Sequence, residues 1–194
     1  MRIYLDHNAT TPLRPEVVEA MARTLRDLPG NPSSVHAEGA AARRALEEAR
    51  GQVAELLGAA PAEVVFTGSA TESCNTLLSS VRAQAGPQAH IVTTCVEHPC
   101  VAEPCAALEA QGVRVTRIPV DVRGRLDLEA FAAALDEGAT LASVILAHNE
   151  TGVLQDATKL REATASRGVP LHLDETQALG QVELDAAVRS ADYL

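Results

Sequence analysis

A chain of 194 residues, 46% hydrophobic and 22% charged, has the makings of one sizeable buried core or two small ones, and the composition of an ordinary globular protein. Its formal net charge of −10 argues against a nucleic-acid or anionic-membrane surface, which needs a basic footprint, and aromatics at 2% leave no stacking platform for bases. No apolar run is long enough for a signal peptide or a bilayer span, so no membrane partner is expected, and Cys74, Cys95, Cys100 and Cys105 are expected as free thiols in a reducing cytoplasm.

Along the chain, helical and extended patterns alternate. "RPEVVEAMARTLRDLPG" (14–30) has proline near a helix start, apolar residues at helical spacing and a glycine stop. "HAEGAAARRALEEARGQVAELLGA" (36–59) reads as a long helix weakened by Gly39 and Gly51. "EVVFTG" (63–68) reads as a strand, "TESCNTLLSSVRAQ" (71–84) as a helix, "AHIVTTC" (89–95) as a strand and "PCVAEPCAALEAQG" (99–112) as a helix. "VRVTRIPV" (113–120) is a predicted strand, "DLEAFAAALDE" (127–137) a helix and "LASVILAH" (141–148) a strand. "ATKLREATASRG" (157–168) then gives a helix and "VPLHLD" (169–174) a strand. Short apolar strands separated by single helices predict an α/β fold, a mostly parallel sheet with helices on both faces.

In such sheets the ligand lies beyond the carboxyl ends of the strands, so the residues there carry the chemistry. After "VVFTG" the run "SATES" (69–73) enters a helix. The first-turn amides of Ala70 and Thr71, with the Thr71 hydroxyl, suit a phosphate, though an ordinary helix cap uses the same residues. His98 follows the next strand, either as a cap or surface histidine or as an imidazole that stacks on a flat cofactor and moves a proton. Asn149 follows "LASVILAH", where an amide could face the site or simply make a turn with Gly152. Asp174 ends "VPLHLD", and a carboxylate at the end of a buried strand needs a positive partner. Gln177 stands close behind it. A phosphate cradle, an imidazole, an amide and a carboxylate together fit pyridoxal 5′-phosphate, with Asp174 paired to the protonated ring nitrogen. No metal site is expected, because Cys95, Cys100 and Cys105 are too widely spaced for zinc pairs and no clustered His/Asp/Glu ligand set is present, and no Walker-type loop points to a nucleotide.

Six motifs occur in an order that resembles the cysteine desulfurases, within the aminotransferase class V group of pyridoxal-phosphate enzymes. They are "YLDHNATTP" (4–12), "GNPSSVHAEG" (30–39), "FTGSATESCN" (66–75), "EHPCV" (97–101), "HNETGVLQD" (148–156) and "LDETQALG" (173–180). The resemblance implies part of a fold type I large domain, a three-layer α/β/α arrangement over residues 16–194, with 1–15 belonging to a small domain. It implies that Ala70 and Thr71 hold the cofactor phosphate and that His98 stacks on the ring and takes part in proton transfer. It further implies that Asn149 binds the cofactor or substrate side, Asp174 pairs with the ring nitrogen, and Gln177 bonds the ring's phenolic oxygen.

The implied reaction converts L-cysteine to L-alanine and passes the sulfur, as a persulfide, to an acceptor or scaffold protein for iron–sulfur cluster or thio-cofactor assembly. A cytoplasmic homodimer is implied when the chain is complete. A selenocysteine lyase, another class V lyase or aminotransferase, and an inactive half-protein acting by dimerisation or partner binding stand as alternatives. The family's Schiff-base lysine and catalytic cysteine are expected beyond Leu194, so the 194 residues alone are expected to be inactive. Lys159 is the one lysine in the chain, placed by pattern on a solvent-facing helix, and Glu175 stands where the family usually has a small residue.

Overall fold

Pro15 opens the first helix, α1 (Pro15–Asp27), where its missing amide costs nothing because first-turn amides have no intrahelical acceptor. The structure is a computed structural model that describes residues 3–183 and 186–194, and it divides after Phe66 into two compact units. In the first unit the opening segment folds around Tyr4, whose hydroxyl lies 2.9 Å from the Asp6 carbonyl and 3.0 Å from that of Thr10. The second helix, α2 (Ala37–Leu57), is capped by His36 and closed by Gly58 at φ 72°. Gly39 does not weaken it by accident. A β-carbon there would lie 2.7 Å from the Asn31 carbonyl oxygen, so glycine lets the 31–34 turn press against the helix start.

The strand expected over 63–68 does not form. Pro61–Glu63 is a 3-10 turn, and the backbone beyond it is extended at Val64 but pairs with no strand among the described residues. Val65 is 78% exposed, and the Val64 carbonyl accepts from the Arg50 guanidinium. Apolar β-branched residues made the segment extended, but a strand also needs a neighbour, which a local pattern cannot show.

In the second unit the expected alternation is present: α3 (Ala70–Ala85), β1 (His90–Thr94), α4 (Pro99–Glu109), β2 (Arg114–Ile118), α5 (Leu128–Leu135), β3 (Leu141–Ile145), α6 (Ala157–Ala165) and β4 (Leu171–Asp174). A short helix not foreseen, α7 (Ala186–Arg189), follows. The four strands form one parallel sheet in the order β2-β1-β3-β4, with Ile91 opposite both Val115 and Leu141, and Ile145 opposite Asp174. Every residue of β1, β3 and β4 is buried, so both faces are covered. On one face α3 and α4 pack together over Ile91 and Leu141, with Leu78 and Val101 at the centre. Helix α5 lies against β1 and β2, and α6 against β4, on the other. Strand β2 ends the sheet on one side, and its exposed residues are the two arginines, Arg114 and Arg117.

Candidate cofactor site at the strand ends

From β1 the chain moves to one side to form β2, then returns to form β3 on the other side of β1. Such a reversal opens a crevice beyond the ends of the two diverging strands. Here Glu97 closes its floor. Its Oε1 accepts from the Thr94 hydroxyl at 2.7 Å and from the Ile145 amide at 3.0 Å, joining the end of β1 to that of β3. Its Oε2 is buried without a partner among the described residues. Burial pushes the Glu97 carboxyl up to about 7, against the pull of those two hydrogen bonds, and the charge of Asp174 adds to the rise.

Asp174 ends β4 and is 6% exposed. Its Oδ1 accepts from the Thr176 amide at 3.0 Å and the Thr176 hydroxyl at 2.7 Å, which fixes the carboxylate plane. Its Oδ2 faces the Cys100 thiol at 3.7 Å. That thiol stays protonated: burial first, then the nearby Cys74 and Asp174, push it up to about 12. Glu175 is buried, and its Oε1 has no partner among the described residues. Burial, and then the Asp174 charge, raise it to about 7. On the strand itself His172 binds the Ser143 hydroxyl at 2.8 Å, and burial lowers it to about 4 although Asp174 pulls the other way.

His98 shows the capping reading: it caps α4, its Nδ1 accepting from the Cys100 amide at 3.2 Å, and its ring is exposed. Accepting at Nδ1 leaves Nε2 to carry the proton in the neutral ring. Cys100 thus ties the histidine to the aspartate, by its amide on one side and its thiol on the other. At the start of α3, Ser69 accepts from the Glu72 amide at 3.3 Å, and the Glu72 carboxylate accepts from the Gly68 amide at 2.7 Å. The cap is therefore real. It leaves the amides of Ala70 and Thr71 without intrahelical acceptors, and Thr71 is exposed.

One turn further along α3, Cys74 lies 3.9 Å from Cys100, so the structure links Ala70 and Thr71 to His98 and Asp174 through two cysteines. Asn149 lies half-buried in the turn after β3, where Leu146 to Gln155 fold back on themselves with Gly152 at φ 68°. Gln177 lies half-buried in the turn after β4. Lys159, on α6, is solvent-facing and paired with Asp156 at 3.5 Å, as its pattern implied.

The family model described as aminotransferase class V matches residues 3–194. The chain belongs to that family. Among class V relatives, a cysteine desulfurase of Enterobacter agglomerans is 44% identical over 193 residues, which is 99% of this chain and 48% of that protein. A solved NifS-like protein superposes with a TM-score of 0.94 at 35% identity, covering 99% of this chain and 53% of the other. SspA, solved in complex with cysteine, superposes with a TM-score of 0.91 at 29% identity, covering 97% and 55%. This class V chain spans about half the length of the curated relatives it matches.

Sequence reading missed Glu97, Cys74, Cys100 and Thr176. Glu97 carried a usable signal, being an acid just after a buried strand as Asp174 is. The two cysteines carried none, because buried thiols look like any small apolar residue on a helix face.

Proposed function

We propose that this chain forms the cofactor bed of a pyridoxal-phosphate-dependent cysteine desulfurase, which releases L-alanine from L-cysteine and hands the sulfur to an acceptor. One observation carries the reading: the Asp174 carboxylate is buried, with one oxygen committed to Thr176 and the other facing only a neutral thiol. No ion pair among the described residues reaches it. A buried carboxylate in that state is short of a cation, and a protonated ring nitrogen supplies one. Support comes from relatives of 41–44% identity that are named cysteine desulfurases.

When bound, pyridoxal phosphate supplies an electron sink for the carbon bearing the substrate's amino group. The chain's own residues set the stage. Asp174 keeps the proton on the ring nitrogen, while Thr176 and the Cys100 thiol hold its carboxylate in one orientation. The exposed ring of His98 would stack on the cofactor and move a proton at Nε2. The first-turn amides of Ala70 and Thr71 and the Thr71 hydroxyl bind phosphate at the positive end of α3. Asn149 orients the cofactor or substrate side, and Gln177 donates to the ring oxygen. The remaining parts of the reading are a homodimer in the cytoplasm, an acceptor or scaffold protein for iron–sulfur or thio-cofactor assembly, and residues 1–15 acting with a small domain while 16–194 form the first part of the large one.

The test separates the bed from the chemistry. 4-Deoxypyridoxine 5′-phosphate keeps the ring nitrogen and phosphate but has no aldehyde to react with amines. Calorimetric titration should show one saturable site on the 194-residue chain, weakened at least about tenfold by Asp174→Ala, as expected for losing a charge-assisted hydrogen bond. Equal affinity in the parent and Asp174→Ala would remove Asp174 from the reading. In a polypeptide that continues this chain along the family's length, sulfide release from L-cysteine is the matching activity.

A further inference from the structure

Cys74 and Cys100 stand 26 residues apart, and Cys100 and Asp174 a further 74, yet the fold gathers all three side chains into one buried cluster. The two sulfurs are 3.9 Å apart, the Cys100 sulfur is 3.7 Å from Asp174 Oδ2, and all three donor atoms lie within 4.8 Å of one another. Both cysteines are free thiols. Their neighbours on this face of the sheet are aliphatic, Leu78, Ile91, Val101 and Leu141.

The two separations from the Cys100 sulfur match two edges of a coordination tetrahedron. With Zn–S near ~2.3 Å and Zn–O near ~2.1 Å, tetrahedral angles place two sulfurs about 3.8 Å apart and a sulfur and an oxygen about 3.6 Å apart. Van der Waals contact alone sets two sulfurs at a similar distance, so the sulfur pair does not decide the matter. The third donor does. A carboxylate oxygen that no ion pair among the described residues reaches lies at the matching distance from the same sulfur, and all three donor atoms gather within 4.8 Å of one another.

We propose that Cys74, Cys100 and Asp174 form a binding site for a thiophilic divalent cation of the zinc class, with the fourth position open to water or to a thiol ligand. On binding, two S–H bonds are replaced by two metal–sulfur bonds, the two protons pass to solvent, and Asp174 adds one oxygen; nothing is oxidised or reduced. The three anionic donors leave the filled site with a single negative charge, in place of a buried carboxylate that has no counter-ion among the described residues. With Oδ1 held by Thr176, Oδ2 is also the oxygen that the cofactor reading leaves for the ring nitrogen. In that respect the consequence rests on the cofactor reading: cation and cofactor exclude one another. The cation site itself does not depend on it. The exposed Cys95 and the buried Cys105 lie outside the cluster and serve as internal controls.

Cadmium is the probe, because thiolate coordination gives it an ultraviolet charge-transfer band. The parent for the experiment is the fully reduced 194-residue chain carrying Cys95→Ser, which removes the exposed thiol. One cadmium per chain should bind with that band, and zinc should displace it. Cys74→Ser, Cys100→Ser and Asp174→Asn should each weaken binding at least about tenfold, the scale seen even for outer-shell ligand changes. Cys105→Ser should leave it unchanged, with far-ultraviolet circular dichroism showing that each variant is folded. A band that survives Cys74→Ser with Cys100→Ser, or no band in the folded parent, overturns the site. Cadmium binding without 4-deoxypyridoxine phosphate binding keeps the cation site and sinks the cofactor bed; the reverse result does the opposite. Where both bind, the phosphate probe should raise the apparent cadmium dissociation constant.

Discussion

Replacing Glu97 with glutamine alters the pH dependence of stability in a direction that follows from two buried groups. Burial raises the Glu97 carboxyl from 4.5 to about 7. Between those values the unfolded chain has already released this proton and the folded chain still holds it, so stability falls as pH rises. A shift of that size corresponds to about 3 kcal/mol lost across the window. His172 acts in the opposite sense. Burial lowers it from 6.5 to about 4, so the unfolded chain takes up a proton that the folded chain refuses, and stability rises with pH over that range by a similar amount. In the parent these two slopes largely cancel between pH 4.5 and 6.5, and the fall that remains comes from Glu175, which burial also raises to about 7 and which the Glu97 variant leaves in place. Glu97→Gln keeps an oxygen to accept from Thr94 and Ile145 but has no charge to bury. Its new NH₂ sits where Oε2 has no partner, which costs about 1–3 kcal/mol at every pH. Only the slope is therefore diagnostic. In urea unfolding at a series of pH values, variant stability relative to parent should climb by about 3 kcal/mol from pH 4.5 to above 7 and then level off. A difference that stays constant with pH would refute the burial of that charge.

Two glycines on α2 should respond oppositely to alanine. Gly39→Ala, which puts a methyl against the 31–34 carbonyls, should destabilise by about 1–3 kcal/mol, whereas Gly51→Ala, with nothing within 4 Å, should stabilise by about 0.5–1 kcal/mol in denaturant melts. Thr71→Val should weaken 4-deoxypyridoxine phosphate binding about tenfold to a hundredfold by calorimetry, and unchanged affinity would make Thr71 a helix residue only. Asp127→Ala removes the carboxylate that accepts from the Glu129 and Ala130 amides at the start of α5 and should cost about 1 kcal/mol; a stability equal to the parent's would show that solvent caps the helix as well.

The alternation of the second unit was legible because each of its cues is local. Pro99 at a helix start, the Asp127 and Asp156 caps and the unbroken apolar run of "LASVI" all act within a few residues of themselves. Asp174 stood out for the same reason, an ionisable group at the end of a strand too apolar to be exposed. Pairing is what the pattern left out. "EVVFTG" has the composition of a strand but no pairing partner among the described residues, while "VRVTRI", with two arginines, forms one because β1 pairs with it from Arg114 to Ile118. The sequence likewise offered the "SATES" helix start and His98 as either caps or ligand groups, and the structure shows a cap at each, made by Ser69 and by His98 Nδ1. The meeting of Cys74, Cys100 and Asp174 was invisible, since it depends on the packing of α3 and α4 against the end of β4 and not on any spacing along the chain.

The carboxylate under the crevice also gives the site a clock. The Ile145 amide ends its strand with its hydrogen turned to a side chain instead of a backbone carbonyl, so its protection from solvent exchange depends on Glu97 staying in place. If the floor opens only when the whole unit unfolds, that one amide should exchange as slowly as the buried centre of the sheet at Val92 and Val144, with or without a ligand overhead. An amide that exchanges faster than those two would report a floor that breathes on its own, and the excess rate would measure how often β1 and β3 part at their ends while the rest of the sheet remains closed.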